Sequence, residues 1–186
     1  NIDAGILKTI DRLMSTFRKA VGDKVDLCLD LNFNFKTDGF IQIAKVVEPY
    51  NLMWLEMDIY DPEALRQVKE TTRVTICSGE SIYNMKGYLP YLEKHAMDIC
   101  MIDLPWNGYI ESRRVAALAD AHEMMTAPHN YYSHFSTFMN AHFCASIPNF
   151  VANSSRRSRE YEDIVLPDPS GYLQPGKNVI MVQLLN

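Results

Sequence analysis

The chain has no apolar run long enough to cross a bilayer, no extended basic block and no paired cysteines, and each absence removes a class of protein. A spanning helix needs about 20 consecutive apolar residues. The amphipathic opening, residues 1–22, has neither that length nor the layout of a secretory signal. Basic residues gather only at Arg156, Arg157 and Arg159, and a net charge of −5 over 186 residues leaves no positive footprint for a phosphate backbone. Neither a membrane nor a nucleic acid is therefore expected as a partner. Cys28, Cys77, Cys100 and Cys144 stand singly, three of them inside predicted strands. They read as small core residues rather than as a disulfide framework or a zinc site, so a reducing cytoplasm is the expected location.

What is present is a βα rhythm in a chain that is 47% hydrophobic, enough for a substantial core. Apolar residues at helical spacing (Ile6, Leu7, Ile10, Leu13, Met14, Phe17) predict a helix over 6–20 that stops near Gly22, followed by a buried strand over 25–31. Thr37 or Asp38 is expected to cap a helix running to Val47, with a strand at 52–57. Asp61-Pro62-Glu63 is a helix start, because Asp accepts from free amides and Pro fits the first turn. Further strands are predicted at 74–77, 99–102 and 124–127, and helices at 85–95, 110–122 and 136–146, with 149–152 as a final barrel strand. The tail, with Pro167, Pro169, Gly171, Pro175 and Gly176, is loop-rich apart from a late strand at 178–184.

Parallel strands joined by crossover helices wind one way round, which makes this alternation a (β/α) barrel. A complete barrel has eight strands and about 250 residues. The expected fold is therefore an α/β, (β/α)7β TIM-like barrel that is incomplete at its N-terminus. Residues 1–153 form the partial barrel, and 154–186 form a tail packing on it or on a lid domain that lies upstream of Asn1.

Asp30, Glu56, Glu80, Asp103 and His129 recur at near-even intervals, each just after an apolar run. In a barrel all five would emerge at one end, where catalytic groups converge. Asp30, Glu56 and Glu80 together make a like-charge cluster that is costly unless protonated or neutralised by a cation. Hard oxygen ligands of this kind suit Mg²⁺. Asn32, two residues beyond Asp30, is placed to orient a ligand or touch the metal. Asp103 and His129 come from the next two strand ends, and a carboxylate beside an imidazole fixes its tautomer and raises its pKa, making a positioned general base. His134, at a predicted helix start, is a second candidate for the substrate or for a cap. His95, His122 and His142 fall on helices and carry no expected chemistry. Trp106-Asn107-Gly108-Tyr109 and Tyr131-Tyr132 are loop segments whose aromatic rings are candidates for lining the pocket.

In order and type these residues resemble the enolase superfamily, specifically its mandelate racemase-like branch, which includes the sugar-acid dehydratases. The resemblance rests on Leu29-Asp30-Leu31-Asn32, Trp54-Leu55-Glu56, Ser78-Gly79-Glu80, Met101-Ile102-Asp103 and Ala127-Pro128-His129, and it runs from about Gly22 to the end. It implies that Asp30, Glu56 and Glu80 bind Mg²⁺ at the ends of the third to fifth barrel strands, and that Asp103 and His129 form the His-Asp dyad. The implied reaction removes a proton α to a carboxylate through a metal-stabilised enolate, the Lys- or His-base and magnesium logic of that superfamily. The leading expectation is a Mg-dependent dehydratase converting a sugar acid to a 2-keto-3-deoxy acid. A racemase or epimerase of a 2-hydroxy acid and a noncatalytic metal-binding barrel are the alternatives. The partner is then a small-molecule carboxylate, and a homo-oligomer, dimer or octamer, fits the resemblance. The family's Lys-x-Lys strand would lie upstream of Asn1, the acid of its eighth strand falls near Asn153 or Ser154, and its Gln-Pro before the dyad Asp is Met101-Ile102 here.

Overall fold

The structure is a computed structural model that describes residues 2–151 and the backbone of 178–183. Helix α1 (Ala4–Val21) is capped by Asp3, whose side chain accepts from the Ile6 amide, and ends at Gly22 with φ 59°. Arg18 then ties this helix to the start of the sheet, donating to the carbonyls of Gly22, Val25, Tyr50 and Asn51. The remaining elements alternate: β1 (Val25–Asp30), α2 (Thr37–Val47), β2 (Trp54–Glu56), α3 (Pro62–Glu70), β3 (Ile76–Ser78), α4 (Asn84–Glu93), β4 (Ile99–Asp103), α5 (Leu104–Ala121), β5 (Met125–His129), α6 (His134–Ala145) and β6 (Asn178–Gln183). All strand pairs are parallel, in the order β5-β4-β3-β2-β1-β6, which makes a half-barrel with its helices on the outside.

Period-two alternation sorts the side chains between two cores. Leu27 and Leu29 of β1 and Cys100 and Ile102 of β4 join the large core under the helices. Cys28, Trp54, Cys77, Ile99, Met101 and Ala127 form a smaller cluster on the other, inner face. All four cysteines are buried and none is in a disulfide, as their isolated placement predicts. Among the described residues no helix is long and apolar enough to cross a membrane.

Several boundaries differ from the sequence expectation for identifiable reasons. Lys36 is the N-cap of α2 and makes no side-chain cap bond, while Asp38 instead accepts from Gln42 one turn on, so neither Thr37 nor Asp38 caps. Helix α5 begins at Leu104 rather than 110, because Asp103 itself caps it by accepting from the Trp106 amide. The expected loop 106–109 is thus helical, broken only at Gly108, whose φ of 71° leaves the helical region. The expected strand 149–152 contracts to one bridge, Thr126 to Phe150, flanked by Thr126 N to Asn149 O at 2.7 Å. The late strand is present as β6 and lies along the edge of β1. Residues 154–177 of the expected tail lie outside the described residues.

Candidate active site

Each polar candidate is carried to the same rim by the alternation that builds the inner core. Asp30 follows Cys28 by two, Glu56 follows Trp54, Asp103 follows Met101 and His129 follows Ala127, so all four share the inner face at the C-terminal ends of their strands. Register aligns them further, with Asp30 opposite Glu56 and Asp103 opposite His129. Glu80 breaks this phase, since it lies two residues beyond Ser78, the last residue of β3. Gly79 reverses the chain at φ 119°, and a Cβ there would stand 2.9 Å from the Met101 carbonyl, so the turn that brings Glu80 inward requires glycine.

Glu80 is the hinge between the acids and the imidazole. Its Oε2 lies 2.9 Å from His129 Nε2, and its Oε1 accepts from Asn32 Nδ2 at 3.0 Å. On the far side of the ring, His129 Nδ1 lies 2.7 Å from Asp103 Oδ2. Burial alone pulls the His129 imidazolium down, but the hydrogen bonds and charges of Asp103 and Glu80 outweigh it and push the pKa up to about 10. Both ring nitrogens thus face a carboxylate, an arrangement that favours the protonated imidazole.

The remaining acids crowd behind it. Glu56, 2% exposed, accepts from Trp54 Nε1 at 3.3 Å. Burial, followed by the charges of Asp30, Asp58 and Glu80, pushes its carboxyl well above the ordinary range. Asp30 accepts from the Asn32 amide at 2.8 Å. The strand has ended by then: Asn32 adopts a left-handed φ of 47° and reaches Glu80 from a turn, not from the strand face that its spacing suggests.

Two functional positions are additional to the sequence candidates, and a third, Tyr132, makes a hydrogen bond that the pocket-lining expectation for it did not include. Asp58 is buried, accepts from the Gly79 amide at 3.2 Å with Oδ1, and finds no hydrogen-bond donor for Oδ2 among the described residues. Burial and the charge of Glu80 push its carboxyl up to about 7. The signal that could have found it is the alternation Trp54, Glu56, Asp58. Tyr88, fully buried, points its hydroxyl at the carbonyls of Gly79 and Met101, at 2.8 and 3.0 Å, and so ties β3 to β4 at the turn. Tyr132 donates to Asp103 Oδ2 at 2.9 Å.

Two weaker candidates sit farther out. Trp106 is 45% exposed and stacks on Tyr83 with centroids 5.0 Å apart, forming an aromatic pair beyond β3 and β4. His134 is the exposed first residue of α6, whose cap is Ser133, so the capping role suggested for His134 does not hold.

Among the described residues, no three His, Cys, Asp or Glu side chains gather their ligating atoms as around a metal ion. The carboxylates expected as ligands turn instead to neighbouring donors: Glu80 to His129 and Asn32, Glu56 to Trp54, Asp30 to Asn32. The chemistry of the set nevertheless fits a hard divalent cation. Every donor is an oxygen, the acids repel one another, and Asp58 leaves an oxygen unpartnered among the described residues.

A half-barrel whose inner face ends in clustered carboxylates and an Asp-held histidine is an α/β enzyme scaffold. The chain belongs to the enolase C-terminal domain-like family, which matches residues 7–174. It is 33% identical over 162 residues to a D-xylonate dehydratase of Haloferax volcanii, covering 84% of this chain and 39% of that protein. It is 31% identical over 129 residues to a D-gluconate dehydratase of Thermoproteus tenax, covering 68% of this chain and 26% of that protein. Among solved structures it is similar to a Burkholderia xenovorans protein bound to magnesium and fumarate, with 35% identity and a TM-score of 0.79 over 81% of this chain and 38% of that one. The chain thus spans well under half the length of these relatives.

Proposed function

We propose that the full-length protein is a Mg²⁺-dependent dehydratase of a sugar acid, with His129 and Asp103 as its acid-base pair and Asp30, Glu56 and Glu80 as metal ligands. The single observation that carries this is the continuous chain Asp103, His129, Glu80, which ties a poised imidazole directly to the acid cluster. The dehydratase names of the two relatives support the class of reaction.

Magnesium on the oxygen set would supply Lewis-acid stabilisation of the charge developing on a substrate carboxylate. The protein's own groups do the rest. Asp103 holds Nδ1, so Nε2, which lies 2.9 Å from Glu80 Oε2, is the atom that would exchange a proton with substrate once Glu80 leaves it. Asn32 keeps Glu80 aimed at the rim. A positioned base contributes about 10²–10⁴-fold, or roughly 3–5 kcal/mol of barrier. A neutral His129, its Nε2 released from Glu80, would take the α-proton, and the imidazolium so formed would return a proton to the departing β-hydroxyl, so that the substrate loses water and the enol tautomerises to a 2-keto-3-deoxy acid.

The test is a panel of acid sugars, led by D-xylonate and D-gluconate, incubated with the full-length protein and Mg²⁺. A 2-keto-3-deoxy product that disappears in His129→Ala supports the proposal. Exchange of the α-hydrogen with deuterium but no loss of water assigns the protein to racemase chemistry instead, and no turnover or exchange favours a noncatalytic barrel.

A further inference from the structure

The Asp103 carboxylate, 1% exposed, is held by donors on both oxygens. Oδ1 accepts from the Trp106 amide at 2.9 Å, and Oδ2 receives both His129 Nδ1 at 2.7 Å and the Tyr132 hydroxyl at 2.9 Å. These donors come from α5, from the end of β5 and from the segment between β5 and α6. A carboxylate fixed at both ends cannot rotate about its own axis without breaking a bond. The plane of the carboxylate in turn sets the plane of the imidazole.

Tyr132 touches the imidazole a second way. Its ring stands edge-on to His129, with centroids 6.0 Å apart and planes at 85°. The ring is 47% exposed, so it fills little of the core; its hydroxyl nonetheless reaches inward to a buried carboxylate. Burial and the bond to Asp103 raise the phenol to about 12, so it remains a protonated donor across the working range.

We infer that Tyr132 is a positioning residue for the Asp103–His129 pair: by hydrogen bond to the carboxylate and edge contact with the ring it fixes the imidazole so that Nε2 points into the acid cluster, 2.9 Å from Glu80 Oε2. The inference rests on the dyad role proposed above. It assigns Tyr132 no contact with the reacting atoms.

The test uses the full-length protein labelled with ¹⁵N-histidine, in which Tyr132→Phe keeps the ring and deletes only the hydroxyl. The His129 Nδ1–H resonance, identified by its loss in His129→Ala, should lie far downfield in the parent and move upfield or broaden in Tyr132→Phe. Turnover should fall about 10-fold in kcat with KM changed less than twofold, the size of one lost hydrogen bond. An unmoved resonance in folded Tyr132→Phe overturns the inference, as does an unchanged kcat, or a loss expressed wholly in KM, which would make Tyr132 a substrate contact. The resonance is read without turnover, so a parent protein inactive on every acid sugar would defeat the proposed function while the spectrum still decides the role of Tyr132.

Discussion

Asp103 serves two structures with its two oxygens: Oδ1 caps α5 through the Trp106 amide, and Oδ2 meets His129 Nδ1 at 2.7 Å. The helix start and the dyad are therefore one residue.

The two roles separate by substitution. Asp103→Asn can still cap, since Asn is as good an N-cap as Asp, but offers a neutral amide to His129. Stability by urea unfolding should stay within about 1 kcal/mol of the parent, while turnover falls by about 10²–10⁴. Asp103→Ala should lose the same activity and a further ~1 kcal/mol of stability from the missing cap. Equal activity in Asp103→Asn and the parent would remove Asp103 from the acid-base machinery.

The acid cluster predicts a response to magnesium. A ligand that binds only the folded state stabilises it by mass action, so Mg²⁺ should raise the melting temperature of the full-length protein above its value in chelator. Glu56, buried against Asp30, Asp58 and Glu80, is the acid whose charge the cluster tolerates least. Glu56→Gln should melt higher than the parent in chelator and gain little from added Mg²⁺. A parent indifferent to Mg²⁺ in the same scan would sink the metal assignment.

Much of the site was legible in the sequence because strands obey a period of two. Once Cys28, Trp54, Met101 and Ala127 are recognised as inward residues, Asp30, Glu56, Asp103 and His129 follow on the same face. Glu80 was found by its spacing, but its path was not: it is out of phase and arrives only through the left-handed turn at Gly79. The spacing puts Asn32 on the strand face of Asp30, whereas it meets Glu80 from a turn after β1 has ended. The early start of α5 was hidden because Asp103 reads as a strand-end acid and as a helix cap in the same position, and Gly108 interrupts the helical pattern four residues in. Asp58, Tyr88 and Tyr132 act through tertiary hydrogen bonds to partners 21, 13 and 29 residues away, which local pattern does not encode.

Asp58 predicts a pH dependence of stability with a definite sign. Its carboxyl is raised by burial and by Glu80 from 3.8 to about 7, so the folded protein keeps a proton that the unfolded chain releases between those values. Stability should accordingly fall as pH rises across that window, by up to about 4 kcal/mol from this group in Mg²⁺-free buffer. Asp58→Asn can keep the bond from the Gly79 amide without the charge. It should unfold at higher urea than the parent at pH 8 and near the same urea at pH 4; the same difference at both pH values would exclude titration of Asp58 as the cause.

Gly79 offers the sharpest structural test of how Glu80 is delivered. An alanine there would be forced into φ 119° with its Cβ 2.9 Å from the Met101 carbonyl and 3.1 Å from the Tyr88 ring. Neither neighbour can yield freely, because the Tyr88 hydroxyl is bonded to the carbonyls of both Gly79 and Met101. The strained backbone alone costs about 1–3 kcal/mol, and relief requires the turn to open and carry Glu80 away from His129. Gly79→Ala should therefore lose at least that much stability by urea unfolding. In the protein that still folds, the His129 pKa measured by NMR should fall from about 10, since Glu80 is one of the two carboxylates that raise it. A destabilised variant whose His129 titrates as in the parent would show that Glu80 reaches the ring without help from this turn.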